Sequence, residues 1–317
     1  MRNRACNVPR GYIKTMKPSY IGIGAQKCAS TWVHYILQDH PQAFASSPKE
    51  LDFFSHNYDR GLQWYEKYFE KGLGRKAIGE ISPSYFYDLS APLRAYKYNP
   101  HFKIIVMLRD PIERAYSNHL HEIRVGNFTG NDLSFEAGLA NNPMYLEQSC
   151  YATHITRWLQ LFPRDQILIL LQEDIYAGAS DQARRVYDFL GINGAHKSIY
   201  LNKRANQSEQ PKSAHIDSLF KRLGSLGRKS GMEQLVGAAK KNRFVAAVRQ
   251  ANTADLRNIV PPMRPETRLF LQAQLIDEVL ELACLLNRSS LPWPMWSMNR
   301  QATTACREIR PALAFSR

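Results

Sequence analysis

The chain has 317 residues, 44% of them apolar, which is enough for a full hydrophobic core and excludes a disordered protein. Lysine and arginine outnumber aspartate and glutamate by 42 to 28, a formal charge of +14 that suggests an anionic partner such as a nucleotide, nucleic acid, acidic glycan or membrane surface, without choosing among them. The five cysteines, Cys6, Cys28, Cys150, Cys284 and Cys306, lack paired spacing, which indicates neither a disulfide framework nor a zinc site and fits a reducing cytoplasm.

Residues 1–18 are basic but hold no apolar stretch of signal-peptide length, and no run anywhere is long enough to span a bilayer. A cytoplasmic location is therefore expected. The first ordered stretch, YIGIGAQKCASTWVHYIL at 20–37, reads as strand, loop and helix. Gly22 and Gly24 are expected to let backbone amides approach a ligand, Lys27 adds a cation, and Ser30 or Thr31 is expected to cap the helix. Amides at a helix N-terminus beside a lysine and two hydroxyls favour a phosphate or a similar oxyanion.

The spacing excludes two common anion loops. In G-x-x-x-x-G-K-[ST] the lysine follows a glycine directly and precedes the hydroxyl, whereas here Gln26 precedes Lys27 and Cys28 and Ala29 separate it from Ser30. In G-x-G-x-x-G the third glycine falls where this chain has Lys27, so no dinucleotide cofactor is suggested. GAQKCASTWVHYILQDHP instead resembles the 5′-phosphosulfate loop of sulfotransferases that use 3′-phosphoadenosine 5′-phosphosulfate, G-x-x-K-x-G-T-T followed by a helix ending in H-P. The resemblance implies that Lys27, Cys28, Ala29, Ser30 and Thr31 bind the donor, with Ala29 where the family usually has glycine and Ser30 where it has threonine. A thiol at Cys28 is then expected to be covered by bound nucleotide.

Next along the chain, KELDFF at 49–54 and GLQWY at 61–65 are similar to elements of the glycan-modifying members. That similarity implies that Glu50 is the carboxylate that deprotonates the acceptor hydroxyl. Read alone, Glu50 is an ordinary solvated loop residue. GEISPSYFYD at 79–88 resembles a family segment that lines the acceptor side, which makes Glu80 and Tyr85 candidate acceptor contacts or simply structure, and Asp52 of KELDFF is a further candidate contact; several animal glycan enzymes have lysine where Ile81 stands.

KIIVML at 103–108 suits a buried parallel strand ending at Arg109, and Pro111 suits the first turn of a helix over 112–124 in which Ser117 lies about two turns in. The pattern R-D-P-x-x-R-A-x-S resembles the family's 3′-phosphate site, which implies donor contacts from Arg109 and Ser117 and a supporting place for Arg114. Without that context, Asp110 is simply a helix cap. Helical spacing follows over 150–163, a second buried strand over 166–171, and a helix that ends at Gly191. His119, His121 and His154 lack metal-ligand spacing, so no metal is expected.

Residues 203–249 hold eleven lysines and arginines against three acids, a net +8, and read as a solvated helical hairpin or as a lid that faces an acidic acceptor through residues such as Arg204 or Lys212. Helical periodicity returns from Pro265 and resembles the family's closing helix. The expected architecture is an α/β fold, a parallel sheet flanked by helices in the P-loop-NTPase-like manner of sulfotransferases, with a helical C-terminal part. A single domain is expected over 19–296, with a basic insertion or lid at about 203–262 and tails at 1–18 and 297–317. The activity the resemblance implies is sulfuryl transfer to an acceptor hydroxyl or amine, with Lys27 and Glu50 as catalytic residues and a carbohydrate, acidic in one reading, as acceptor, and with no metal and no nucleic acid. A nucleotide-dependent phosphotransferase and a non-enzymatic basic binder of nucleic acid or membrane surface are the alternatives.

Overall fold

The structure, a computed structural model, describes residues 17–128, 132–203, 209–211 and 253–296. In chain order the elements are β1 (Tyr20–Gly24), α1 (Ser30–Asp39), β2 (Ala43–Ala45), α2 (Leu62–Glu66), β3 (Ala77–Ile81), α3 (Ala91–Tyr98), β4 (Lys103–Leu108) and α4 (Pro111–Val125). They continue as α5 (Phe135–Asn141), α6 (Met144–Glu147), α7 (Tyr151–Leu159), β5 (Ile167–Leu171), α8 (Gln172–Ala177), α9 (Ala179–Leu190), β6 (Glu209–Pro211), β7 (Thr253–Asp255) and α10 (Pro265–Leu285). The chain divides into two compact units, Met1–Leu108 with Ile155–Lys203, and Arg109–His154 with Arg204–Arg317, where a single domain with an insertion is expected from sequence.

The first unit is built on a five-stranded sheet in the order β2-β3-β1-β4-β5, parallel throughout. The central strands are apolar and buried along nearly their whole length, as a sheet covered by helices requires. β1 pairs with β3 at Tyr20 opposite Gly79 and Gly22 opposite Ile81, and with β4 at Tyr20 opposite Lys103. A Cβ on Gly79 would lie 2.1 Å from the Tyr20 carbonyl oxygen, so only glycine lets β3 come this close to β1. Because all strands run the same way, the segments after β1 and β3 leave the same edge of the sheet, where ligands of open α/β sheets bind.

The second unit is mainly helical. Pro111 opens α4, and Asp110 caps it by accepting from the amides of Ile112 at 2.9 Å and Glu113 at 3.0 Å. α10 buries Leu271, Leu275, Val279 and Leu282, a stripe at spacings of four, four and three. Trp296 closes this arrangement by donating from Nε1 to Asp110 Oδ2 at 2.9 Å.

The strands expected over 103–108 and 166–171 and the helix expected after Pro111 are present, whereas β2, β3 and the antiparallel pair β6 and β7 were not foreseen. Apart from Lys203 and β6, the basic segment 203–249 lies outside the described residues, as do Arg204, Lys212 and both tails except Lys17 and Pro18. Cys28 and Cys150 are free thiols. Among the described residues no helix is long and apolar enough to cross a membrane.

Candidate functional site

In the first unit, β1 runs into a loop whose shape is set by its backbone. Lys27 and Ala29 have φ of 68° and 65°, the left-handed region that favours glycine, and Ala29 occupies the N-cap position of α1. The conformation explains why glycine is the usual residue where Ala29 stands. No side chain caps α1, so the expected capping by Ser30 or Thr31 is corrected: both lie within the helix's first turn. The glycines have a packing task that the sequence does not show: a Cβ on Gly22 would meet Ile81 at 2.8 Å, and one on Gly24, at φ 119°, would meet the Pro83 carbonyl oxygen at 2.8 Å, so they admit the neighbouring segment of the protein.

Cys28 is fully buried, and its thiol is within 3.5 Å of the Gln26 carbonyl oxygen. The protein itself covers this thiol, which corrects the expectation that bound nucleotide does so. Lys27 and Thr31 are half-buried, and Ser30 is 7% exposed.

The segment 49–54 lies beside this loop. Lys49 Nζ is 3.4 Å from Ser30 Oγ and also forms an ion pair with the Glu50 carboxylate, so one lysine side chain spans from the first turn of α1 to the candidate base. The Lys49 side chain is 18% exposed and that of Glu50 48% exposed. The KELDFF pattern alone assigns Lys49 no role, because its reach to Ser30 exists only in the fold. His34, one turn on from Ser30 and buried, has its pKa lowered to about 4 by burial, to which the nearby Lys49 cation adds.

The backbone of this segment is strained, with φ of 64° at Glu50 and 49° at Asp52. Three successive amides are held from β3 and the turn after it. The amide of Leu51 donates to Glu80 Oε2 at 3.3 Å, that of Asp52 to Ser82 Oγ at 2.9 Å, and that of Phe53 to Tyr85 Oη at 2.8 Å. Ser82 Oγ donates to Glu80 Oε2 at 2.5 Å, Tyr65 Oη to Glu80 Oε1 at 3.2 Å, and Tyr85 Oη to Glu80 Oε1. Burial raises the Glu80 pKa to about 7, opposed by the donors from Ser82, Tyr85, Leu51 and Tyr65, and burial likewise pushes the Tyr65 and Tyr85 hydroxyls up.

Glu80 and Tyr85 are both fully buried, which corrects their assignment as acceptor contacts: their polar atoms are committed to the underside of the loop. Asp52 is half-buried, and its carboxylate accepts from Ser84 Oγ at 2.5 Å.

In the second unit, Arg109 is the residue that follows β4, with a side chain 15% exposed and its Nη2 4.0 Å from Glu113 Oε2. Among the described residues its Nε is buried without a hydrogen-bond partner. Ser117 lies on α4 and is 8% exposed. Arg114 is fully buried and donates to Ser149 Oγ at 2.8 Å, Gln148 Oε1 at 3.2 Å and the Tyr145 carbonyl, the supporting place expected for it. His119 is held by the Leu133 carbonyl at 3.0 Å and Tyr145 Oη at 3.2 Å.

The family model described as a sulfotransferase domain matches residues 18–254. Human bifunctional heparan sulfate N-deacetylase/N-sulfotransferase 3 is 28% identical over 298 residues, which cover 88% of this chain and 31% of that protein. The chain thus spans about a third of that relative's length. Human heparan sulfate glucosamine 3-O-sulfotransferase 3B1 is 33% identical over 194 residues, 59% of this chain and 50% of the relative. Among solved structures, a sulfotransferase from Alicyclobacillus acidocaldarius shares the fold with a TM-score of 0.54 at 24% identity, covering 70% of this chain and 96% of that one. The family match takes in well over half of the chain and contains both the loop after β1 and the Arg109 segment, so this chain belongs to the sulfotransferase family.

Proposed function

We propose that this protein moves a sulfuryl group from 3′-phosphoadenosine 5′-phosphosulfate to a hydroxyl or amine of a carbohydrate acceptor. The observation that carries this reading is the Lys49 bridge, which sets a candidate base, Glu50, beside the helix start that carries Ser30. Family membership supports the donor, and the names of the heparan sulfate relatives support a glycan acceptor.

The donor has two anionic ends. Lys27, Ser30, Thr31 and the amides about Cys28 and Ala29 take the 5′-phosphosulfate, and Arg109 with Ser117 takes the 3′-phosphate. The unsatisfied Nε of Arg109 fits a group that brings acceptor oxygens.

In the reaction the acceptor oxygen or nitrogen attacks sulfur as the bond from sulfur to the bridging oxygen breaks, and the acceptor proton passes to Glu50. The leaving 3′-phosphoadenosine 5′-phosphate gains negative charge, which Lys27 stabilises. Lys49 is a second cation for this charge. Ile81, standing where several animal enzymes have lysine, supplies none and is buried against Gly22.

Cytoplasmic location belongs to the same proposal, and the free thiols of Cys28 and Cys150 support it. A nucleotide phosphotransferase or a basic surface binder would leave the ordered AQKCAST, KELDFF and LRDP segments without a shared purpose.

The test is incubation with radiolabelled donor and a panel of glycans, phenols, steroids and lipids. Label appearing on glycans, with chelator present or absent, is expected; transfer only to the non-glycan acceptors, or phosphate transfer that a chelator abolishes, would overturn the reading. For the donor site, Arg109→Ala is expected to weaken binding of 3′-phosphoadenosine 5′-phosphate about ten- to a hundredfold by calorimetry, the loss of a charged hydrogen bond. Unchanged affinity would remove Arg109 from the site.

A further inference from the structure

Within the first unit, the segment that carries Glu50 is shaped by side chains from a different element. Two non-glycine residues, Glu50 and Asp52, stand in the strained left-handed region, and the loop keeps them there because the amides of Leu51, Asp52 and Phe53 have partners. Those partners, Glu80, Ser82 and Tyr85, sit at the end of β3 and in the turn that follows, so that one comb of side chains meets Leu51, Asp52 and Phe53 in register. Glu80 is the hub: its carboxylate also accepts from Ser82, Tyr85 and Tyr65 and thereby orients the two other teeth. It has no exposed surface and does not reach substrate, and a buried polar group of this kind needs all of its donors to remain satisfied. Its place near the end of a buried strand, between Gly79 and Ile81, is otherwise a costly one for a carboxylate.

We infer that Glu80 is the positioning residue for the proposed general base: through the amide of Leu51 and the hydroxyls of Ser82 and Tyr85 it holds the 49–54 segment in the strained conformation that presents Glu50 to the acceptor. This inference rests on the reading of Glu50 as base. It separates two duties, since the group that accepts the proton is exposed and the group that fixes its location is buried one layer below. The burial that raises the Glu80 pKa to about 7 is consistent with a group kept from solvent, and the surrounding donors keep it from rising further.

Glu80→Gln preserves size but turns one acceptor oxygen into a donor that faces hydroxyls and an amide. With labelled donor and chemically desulfated heparin as the probe acceptor, kcat per folded molecule is expected to fall about a hundredfold, the effect of a small displacement of a catalytic group. Calorimetric affinity for 3′-phosphoadenosine 5′-phosphate should be unchanged. The double variant Glu50→Gln/Glu80→Gln should be no slower than Glu50→Gln alone, because placing a side chain that no longer accepts the proton gains nothing. Tyr85→Phe, which keeps the hub but removes the partner of the Phe53 amide, should show a smaller loss with the same non-additivity, and it serves if Glu80→Gln does not fold.

Wild-type kcat in folded Glu80→Gln or, where that variant does not fold, in Tyr85→Phe overturns the inference. So does a double variant whose loss is the product of the two single losses. A Glu50→Gln enzyme that keeps its kcat is a different failure, since it removes the base itself. Loss in Glu50→Gln without loss in Glu80→Gln removes only the positioning role.

Discussion

The loop after β1 and the segment 49–54 lie side by side in the first unit and are held by different means. The first takes its shape from its own backbone, with left-handed Lys27 and Ala29 and with Gly24 pressed against the Pro83 carbonyl. The second has equally strained residues in Glu50 and Asp52, but its shape comes from Glu80, Ser82 and Tyr85, some thirty residues further along the chain. An anion loop must offer its own amides and hydroxyls to the ligand, so it is best shaped by backbone conformation that leaves them available. A segment that presents one carboxylate can have its amides taken from below. Substitutions should therefore act locally in the first loop and at a distance in the second.

The largest effect on stability should come from the backbone-held loop. Gly24→Ala adds left-handed strain and drives a Cβ to 2.8 Å from the Pro83 carbonyl oxygen, and together these should cost about 2–4 kcal/mol in denaturant unfolding. A loss below about 0.5 kcal/mol, the usual range of a surface change, would show that this loop adapts and would break the contrast.

The side-chain-held segment should instead carry a pH signature. The folded-state pKa of Glu80, raised from 4.5 to about 7 by burial, means that between those values the folded chain keeps a proton the unfolded chain has released. Its contribution to stability is present below about 4.5, falls as pH rises through the window, and levels off above about 7. The groups that face it are Tyr65, Ser82, Tyr85 and the Leu51 amide, none of which changes charge in that range. The wild-type advantage over Glu80→Gln should accordingly shrink from acid to neutral pH when urea unfolding is followed across the window. His34, lowered from 6.5 to about 4, has the opposite slope, losing stability as pH falls, and is common to both proteins.

The smallest effect is expected at Ala29. Glycine there relieves the left-handed strain at φ 65° but loosens the unfolded chain, so Ala29→Gly should stay within about 1 kcal/mol of wild type and keep nucleotide affinity. A large gain or loss by calorimetry and thermal unfolding would show that the alanine methyl has a role beyond occupying a glycine position.

Much of this arrangement was legible in the residue order. β1, β4 and β5 announce themselves as short apolar runs, and Pro111 after Asp110 marks the start of α4. β3 did not, because Gly79 and Glu80 interrupt its apolar pattern for reasons that lie elsewhere: the close approach to Tyr20 and the amide of Leu51. The same blindness to distant partners made Glu80 and Tyr85 look like surface contacts and left Lys49 without a role. Spacing identifies what a segment can bind, but a buried carboxylate explains itself only once its donors, from 2 to 29 residues away, are in place.

The most direct test of the central claim is Glu50→Gln, which keeps the size of the side chain but cannot accept the acceptor's proton. At saturating glycan and donor, kcat should fall about 10²–10⁴-fold while calorimetric affinity for 3′-phosphoadenosine 5′-phosphate and the thermal midpoint stay near wild type. A Glu50→Gln enzyme with near-wild-type kcat would contradict the account and send the search for the base to Asp52 of the same segment.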